Sequence, residues 1–381
     1  MCKGGRYLNS HAPKAGGRKK KILLVVLILI VAILATAIGG GLGYYNYVLS
    51  LVGEAEYVEK NPSREELAAI LGEGYLDAEL ENATEGETQP TVSVPETTGE
   101  IINVMLVGQQ SRDGETAKLA DTMILATLNL KTKTLTLTSF QRDMYIKLPD
   151  YAGKTCGKNR INTCYALGYA WGDTKGAMEM LDLLLLEQFG VDVDYNVEVD
   201  FVAFQEVINA LGGVDVELTE AEATHLNKNT DLNGAYKKGT NHLDGAAALA
   251  YARTRSAFAG DNDFNRTDRQ RKMISSILEK CRTMSLTQLN NMLTTILPLV
   301  KTDMSSDVIT KFALELLPIL PELSIVSNQC PAEGTYSGQM VEIYGVNSGV
   351  LVPDVEKNRE LLMAIAETDV IEPTETTVPA E

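Results

Sequence analysis

The stretch Tyr251–Arg271, YARTRSAFAGDNDFNRTDRQR, gathers five arginines and three aspartates in a chain whose formal net charge is -17. Guanidinium forks match the paired oxygens of phosphate or carboxylate groups. Such a stretch is either a salt-bridged surface or a site for an anion. Placed on a helix at about 100° per residue, Asp263, Arg266, Thr267, Gln270, Ile274, Ile277 and Cys281 fall on one stripe. The lower part of that stripe is apolar and faces a core, so Asp263, Arg266 and Gln270 stand at its open end, as the wall of a pocket would. Asp263 can also serve as an N-cap, and Arg266 as its partner three residues on.

Arg253 and Arg255 precede this helix. On a continuous helix they would diverge by about 200°. If the preceding helix ends near Ala252 and the chain extends, both point the same way and form a clamp. Arg253 alone could instead complement a helix dipole. Arg142, in TSFQRDMYI, follows a strand, as ligand-site residues of α/β folds do; pairing with Asp143 at a turn is the alternative. Asp121, in KLADTMIL, sits directly before a strand, either as a turn acid or as a ligand for a hard divalent cation.

The elements that position these residues alternate between strand and helix patterns. INVMLVG, TMILATLNL, KTLTLTSF, YNVEVD and VDVEL read as strands, with another near Leu323–Val326. TKGAMEMLDLLLLEQFG reads as a helix ended by Gly190, and FVAFQEVINALGG as one capped by Asp200 and stopped by Gly212. DGAAALAYAR is a helix capped by Asp244, and a longer helix runs from Asp263 to about Met284. LTQLNNMLTTILPLV, SSDVITKFALELLPIL and a segment from about Asp354 to Ala366 complete the helices. The expected fold is α/β, a mixed central sheet with helices on both faces. The run MLDLLLLEQF reads as core or as lining for a lipid tunnel.

Charge and hydropathy divide the chain further. Residues 1–21 contain seven basic side chains and no acid, leaving 27 of the 34 bases against 51 acids in the remainder. A balance this acidic argues against nucleic acid as a partner, because phosphate backbones require a basic footprint. From Ile22 to about Leu42 no residue is charged, which is enough for one transmembrane helix. The preceding RKKK places the N-terminus in the cytoplasm and the bulk of the chain outside. The expected organisation is a basic cytoplasmic tail at 1–21, a membrane span at 22–43, a stalk and acidic linker at 44–99, a domain at 100–367 and a disordered acidic tail at 368–381. Within the stalk, SREELAAIL offers a short helix with Ser63 and Glu66 spaced as a capping box. Four cysteines, Cys156, Cys164, Cys281 and Cys330, fall on the external side, where disulfides persist. A bridge between Cys156 and Cys164 would close the GKNRINT loop; two buried thiols are the alternative. Without a CxxC pair and with three histidines, a Cys/His zinc site is not expected.

Taken in order, INVMLVGQQSR, LADTMILATLNLKTKTLTLTSFQRDMYI, RINTCYALGYAWG, VEVDFVAFQEVINALGGVDVEL, LDGAAALAYARTR and DFNRTDRQ resemble the LytR–CpsA–Psr family of cell-wall enzymes. The motifs cover about residues 100–275, and 276–367 would form a C-terminal helical and strand part of the same domain. The resemblance implies an extracytoplasmic phosphotransferase, anchored in the cell membrane, that moves a glycopolymer from a polyprenyl-pyrophosphate carrier to peptidoglycan through a phosphodiester. It implies that Arg142, Arg253, Arg255, Arg266 and Gln270 contact phosphate and that Asp121 holds Mg²⁺ (or Mn²⁺). Asp263 takes the acidic position of the last motif, so Arg142 and Asp263 stand as the catalytic pair. Two positions depart from the pattern. Gln110 stands where many relatives carry a metal-binding Asp, and Leu119 where many carry an Arg. An amide can still coordinate Mg²⁺ through its carbonyl, without adding charge. These losses keep two other functions open: a non-catalytic polyprenyl-phosphate binder that senses or organises wall assembly, and a pyrophosphatase in which water replaces the sugar hydroxyl.

Overall fold

The computed structural model describes residues 47, 50–71, 101–109, 118–232, 234–255, 257, 262–281, 283–305, 308–309, 311, 319 and 322–367. In chain order the elements are β1 (Gly53–Glu54), α1 (Arg64–Leu71), β2 (Ile101–Gln109), β3 (Ala120–Asn129), β4 (Thr134–Phe140), β5 (Tyr145–Lys147), β6 (Lys158–Arg160), α2 (Ile161–Phe189), β7 (Tyr195–Asp200), α3 (Phe201–Ala210), β8 (Val214–Leu218), α4 (Glu220–Asn227), β9 (Gly239–Leu243), α5 (Gly245–Arg253), α6 (Asp263–Cys281), α7 (Leu286–Ile296), β10 (Lys301–Thr302), β11 (Ser324–Cys330), β12 (Tyr336–Ile343), β13 (Val346–Pro353) and α8 (Val355–Glu367).

Seven strands form the central sheet in the order β1-β10-β7-β2-β3-β4-β11. β7 and β2 run parallel, as do β4 and β11, while β3 is antiparallel to both its neighbours. The sheet is therefore mixed, as expected. Strand alternation divides the core in two. Ile102, Val104, Ile124 and Ala126 face a cluster with Val207 of α3, Ala248 of α5, Met273 of α6 and Met292 of α7. Met105, Val107, Met123 and Leu125 face the other cluster, with Leu67 of α1, Leu181 of α2 and Leu362 of α8. Both faces are thus covered by helices.

The register brings the site residues to one end. β2 and β7 end at Gln109 and Asp200, β4 ends just before Gln141 and Arg142, and the antiparallel β3 begins beside them at Ala120. At this end the β2–β3 register shifts between Gly108 and Gln109. A Cβ on Gly108 would lie 2.7 Å from the Cβ of Thr122, so only glycine lets the two strands approach beside Asp121.

Several expectations change. VDVEL is a strand, but it pairs with β9 in a separate two-stranded sheet. α2 begins already at Ile161 and passes through a break at Gly172 and Asp173, where φ is 59° at Asp173. MLDLLLLEQF packs as plain core: Met180, Leu181, Leu184, Leu185 and Phe189 are fully buried against the sheet. The β12–β13 hairpin went unanticipated, because its serines, glycines and asparagine dilute the strand pattern. The presumed stalk contributes to the fold. β1 pairs with β10 at the sheet edge, and Leu67 and Ala68 of α1 are buried beside α2. The Ser63–Glu66 capping box is present, with the Ser63 amide donating to Glu66 Oε2 at 2.7 Å and the Glu66 amide to Ser63 Oγ at 3.2 Å. The membrane span at 22–43, most of the helix in SSDVITKFALELLPIL and the tail at 368–381 lie outside the described residues. Among those described, no helix is long and apolar enough to cross a membrane.

The Cys156–Cys164 bridge is not formed. Cys156, Cys164 and Cys330 are free and buried. Cys164 points across α2 toward the Met180 carbonyl, 3.3 Å from Sγ, whereas Cys156 turns back to the Lys154 carbonyl. Burial pushes the Cys156 thiol up to about 12, so it is also unreactive. Alkylation of the unfolded chain without reductant should label all three cysteines as fully as with reductant, read by peptide mass. A labelling that requires reductant would show a bridge.

Candidate active site

Each arginine reaches the site by a different backbone device. Asp200 caps α3, accepting from the Ala203 amide at 2.8 Å, and Asp244 caps α5 in the same way at 2.9 Å. These caps fix where α3 and α5 begin, at Phe201 and Gly245. α5 stops at Arg253, and Thr254 is extended, with φ -61° and ψ 133°. This is the break that brings Arg253 and Arg255 into one cleft. Arg142 emerges after β4, whose end is fixed by Gln141: its amide donates to the Cys330 carbonyl at 2.8 Å and its Nε2 to Thr267 Oγ1 at 3.0 Å. Arg266 lies one turn into α6, on the predicted inward stripe, and its side chain is 2% exposed.

A cleft of about 440 Å³ is lined by Asp121, Arg142, Arg253, Arg255, Arg266 and Gln270, and by Phe201, His225, Leu226 and Asn229 from α3, α4 and the turn beyond α4. Asp263 completes it through its arginine partners. Arg142 Nη1 donates to Asp121 Oδ1 at 2.7 Å, and its Nε lies 3.5 Å from Asp263 Oδ1. Arg255 spans the same two carboxylates, at 3.7 Å from Asp121 Oδ2 and 3.6 Å from Asp263 Oδ1. Arg266 Nη2 donates to Asp263 Oδ2 at 2.8 Å and to the Asp121 carbonyl at 3.0 Å. Gln270 Nε2 approaches the Ala252 carbonyl at 3.5 Å. Arg253 is exposed and lies over the Phe201 ring, 4.5 Å from its centroid.

Three guanidinium groups thus share Asp121 and Asp263, and Asp143 is a third carboxylate at the edge, its Oδ2 3.6 Å from Arg142 Nε. Arg142 Nε and Arg266 Nε are buried and make no hydrogen bond, and neither do the acceptors Asp263 Oδ1 and Gln270 Oε1 beside them. Buried donors are normally paired, and an anion's oxygens would supply the acceptors. Desolvation pulls the Arg266 guanidinium down to about 10 even though Asp263 opposes it. Desolvation also raises Asp263 above the usual carboxylate range, against the pull of Arg266 and Arg142. The guanidinium of Arg142 is raised: desolvation would lower it, but its hydrogen bond to Asp121 and the nearby carboxylates together outweigh that. The cluster is therefore held with unmet hydrogen-bonding groups, arranged before any ligand arrives.

Asp263 Oδ1 is buried and accepts no hydrogen bond. An anionic oxygen in that state is a suitable donor for a hard cation, and Asp121 supplies a second carboxylate. Among the described residues no group of three His, Cys, Asp or Glu side chains could hold a metal ion, so a divalent cation would need further oxygens from a ligand. Gln110 lies outside the described residues; Leu119 is half-buried at the entry to β3 and brings no guanidinium.

The structure thus brings together every described residue expected at the site. It adds Phe201, His225, Asn229, Glu222 and Arg269. Arg269 belonged to the arginine-rich stretch, but it is buried behind the cleft, 2.8 Å from Glu222.

The arginine cluster thus sits at one end of a mixed α/β sheet, where β2, β4 and β7 end and β3 begins. Residues 71–353 match the LytR_cpsA_psr family, and the chain belongs to that family. It is 36% identical over 188 residues to the polyisoprenyl-teichoic acid–peptidoglycan teichoic acid transferase TagT of Bacillus subtilis (strain 168), covering 48% of this chain and 53% of that protein. It is 34% identical over 207 residues to TagU of the same organism, covering 54% and 60%. The chain thus spans between half and two thirds of the length of these curated relatives. Among solved structures, TagT bound to LIIa-WTA superposes with a TM-score of 0.55 at 26% identity, covering 75% of this chain and 99% of that one. YwtF (TagT) with bound octaprenyl pyrophosphate lipid gives 0.51 at 25%, with the same coverage.

Glu222 supplies a test of the site's electrostatic frame. Desolvation would raise its carboxyl, but the Thr219 amide and Arg269 hold it below 4.5. A depressed carboxylate contributes stability above its unfolded value that is lost as pH falls through the folded one. Glu222→Gln should therefore be less stable than wild type at neutral pH. The gap should close as pH falls below 4.5, measured by urea unfolding at stepped pH. A gap independent of pH would show that the charge contributes nothing.

Proposed function

We propose that this chain is an extracytoplasmic phosphotransferase that moves a glycopolymer from a polyprenyl-pyrophosphate carrier to peptidoglycan through a phosphodiester bond. One observation carries the reading: three guanidinium groups converge on Asp121 and Asp263 at the cleft, with Arg142 Nε and Arg266 Nε buried and unpartnered. Family membership and the relatives support it. TagT is named a teichoic acid transferase acting on peptidoglycan, and a TagT structure holds octaprenyl pyrophosphate.

Phosphoryl transfer depends on positioning and on neutralising charge at phosphorus. Arg142, Arg255 and Arg266 hold the pyrophosphate oxygens, and Arg253 and Gln270 approach from α5 and α6. A sugar hydroxyl of peptidoglycan attacks the phosphorus that bears the glycopolymer. The new P–O bond forms, the bond to the polyprenyl phosphate breaks, and that phosphate leaves with its charge balanced by the guanidinium groups. Asp263 Oδ1, raised and without a hydrogen bond, is placed to receive the hydroxyl proton or to hold the cation. Asp121, Asp263 and, by sequence, Gln110 are the residues that would hold Mg²⁺ (or Mn²⁺), which would neutralise phosphate charge. Anchoring through the span at 22–43, with the domain outside the membrane, is part of the same proposal.

Leu119 favours the second reading, a polyprenyl-phosphate binder without turnover, because it leaves the cradle one guanidinium short of the family pattern. The assay that separates the readings supplies a lipid-pyrophosphate sugar donor, peptidoglycan and Mg²⁺. A phosphodiester-linked product supports transfer. Tight binding without product supports the binder, and a free sugar phosphate supports a pyrophosphatase.

Loss of one bidentate, charge-assisted contact costs about 2–3 kcal/mol. Arg255→Ala should thus weaken lipid-pyrophosphate binding roughly 30- to 150-fold while the far-UV spectrum is unchanged. Wild-type affinity in a folded variant would remove Arg255 from the cradle. Because guanidinium groups already neutralise Asp121 and Asp263, Mg²⁺ should bind the protein poorly alone and well with inorganic pyrophosphate present, and Asp121→Asn should abolish the second effect. Equal Mg²⁺ affinity in both proteins by calorimetry would end the metal assignment.

A further inference from the structure

Behind the cleft lies a buried relay built on Glu222 and Arg269. Arg269 Nε donates to Glu222 Oε1 at 2.8 Å, and Arg269 Nη1 donates to the Thr254 carbonyl at 2.9 Å. Both side chains are buried, at 2% and 6% exposure. The other carboxylate oxygen of Glu222 accepts from the amide and hydroxyl of Thr219 at 2.9 and 3.0 Å, completing the capping box of α4. Glu222 is thus held from one side and holds Arg269 from the other.

Thr254 is the residue between Arg253 and Arg255. It is itself buried, its amide donates to the Tyr251 carbonyl at 3.2 Å and its hydroxyl to the Ala250 carbonyl at 2.8 Å. Its extended conformation directs Arg255 toward Asp121 and Asp263. A rotation at this residue would move Arg255 away from both. Arg269 also stands one turn after Arg266 on α6, so the same side chain ties Thr254 to the helix that presents Arg266. Burying an ion pair loses much of its Coulombic gain to desolvation. Such a pair is a weak source of stability, and its use here lies in the geometry it fixes.

We propose that Glu222 and Arg269 are positioning residues for the phosphate clamp: Arg269 holds the Thr254 carbonyl so that Arg255 and Arg266 keep their spacing, and Glu222 holds Arg269 in place. The proposal rests on the reading of the cleft as a pyrophosphate site. It couples α4, whose His225 and Leu226 line the same cleft, to the arginine loop through a single side chain.

The test uses the full chain and inorganic pyrophosphate as the probe, with binding read by calorimetry and folding by thermal melting. Glu222→Gln keeps the shape and removes the charge. Arg269→Lys keeps the charge but replaces the two separated donors Nε and Nη1, which reach Glu222 and the Thr254 carbonyl, with a single centre. Each should weaken pyrophosphate binding about 10-fold in a folded protein. In an Arg255→Ala background the same substitutions should add clearly less further loss, because the part of the relay that acts through Arg255 is already gone. A residue serving only stability would show losses that multiply across the two backgrounds, or a lower melting temperature with wild-type affinity, and either result overturns the assignment. Wild-type protein that binds no pyrophosphate would defeat the phosphotransferase reading, and the positioning role with it. Variants that bind as wild type does would defeat the positioning role alone.

Discussion

Two carboxylates shared among three guanidinium groups are the constraint around which the cleft is arranged. Like-charged side chains held this close repel, and Asp121 and Asp263 make the gathering tolerable by standing between them. Asp143 adds a third carboxylate beside Arg142. Burial leaves Arg142 Nε and Arg266 Nε without hydrogen-bond partners and lowers the guanidinium of Arg266. The sheet serves this arrangement. Two parallel pairings and an antiparallel β3 bring Asp121, Arg142 and Asp200 to one end of the strands, and the break at Thr254 delivers Arg255 to them.

The carboxylates act as placeholders as well as neutralising groups. Arg142, Arg255 and Arg266 are each already oriented by a carboxylate, so binding of an anion would exchange partners and order little new. That exchange frees carboxylate oxygens at the moment phosphate charge enters, and a divalent cation would then find anionic ligands from protein and substrate together. An acidic protein can thus carry a phosphate site without a basic surface, because the positive charge is local, buried and largely matched until the ligand arrives.

The arginine site was legible in the sequence because local rules determine it. Helical periodicity put Asp263, Arg266 and Gln270 on one stripe, and two arginines one residue apart converge only if the chain is extended between them. The caps at Asp200 and Asp244 followed from residue type alone. What escaped depends on contacts distant in sequence. Nothing in the local pattern singles out Glu222, and only the approach of α4 to α6 buries it against Arg269, 47 residues away. The Cys156–Cys164 expectation rested on spacing, but a bridge needs converging Cβ vectors, and Cys164 is turned into the packing of α2 on itself. The β12–β13 hairpin was missed because most of β12 is exposed and the alternation in β13 is carried by a buried serine, Ser348, and Val350, so apolar spacing marks no buried face.

The glycine at 108 shows how closely backbone and chemistry are joined at this end of the sheet. β2 must come within contact of Thr122 to let β3 start where it does, and Asp121 is the next residue toward the cleft. Any side chain at 108 would push β3 outward, carrying Asp121 with it. Asp121 holds Arg142 through its side chain and Arg266 through its backbone carbonyl. A displacement there would therefore loosen two of the three guanidinium groups at once, through one strand contact that involves no charged atom.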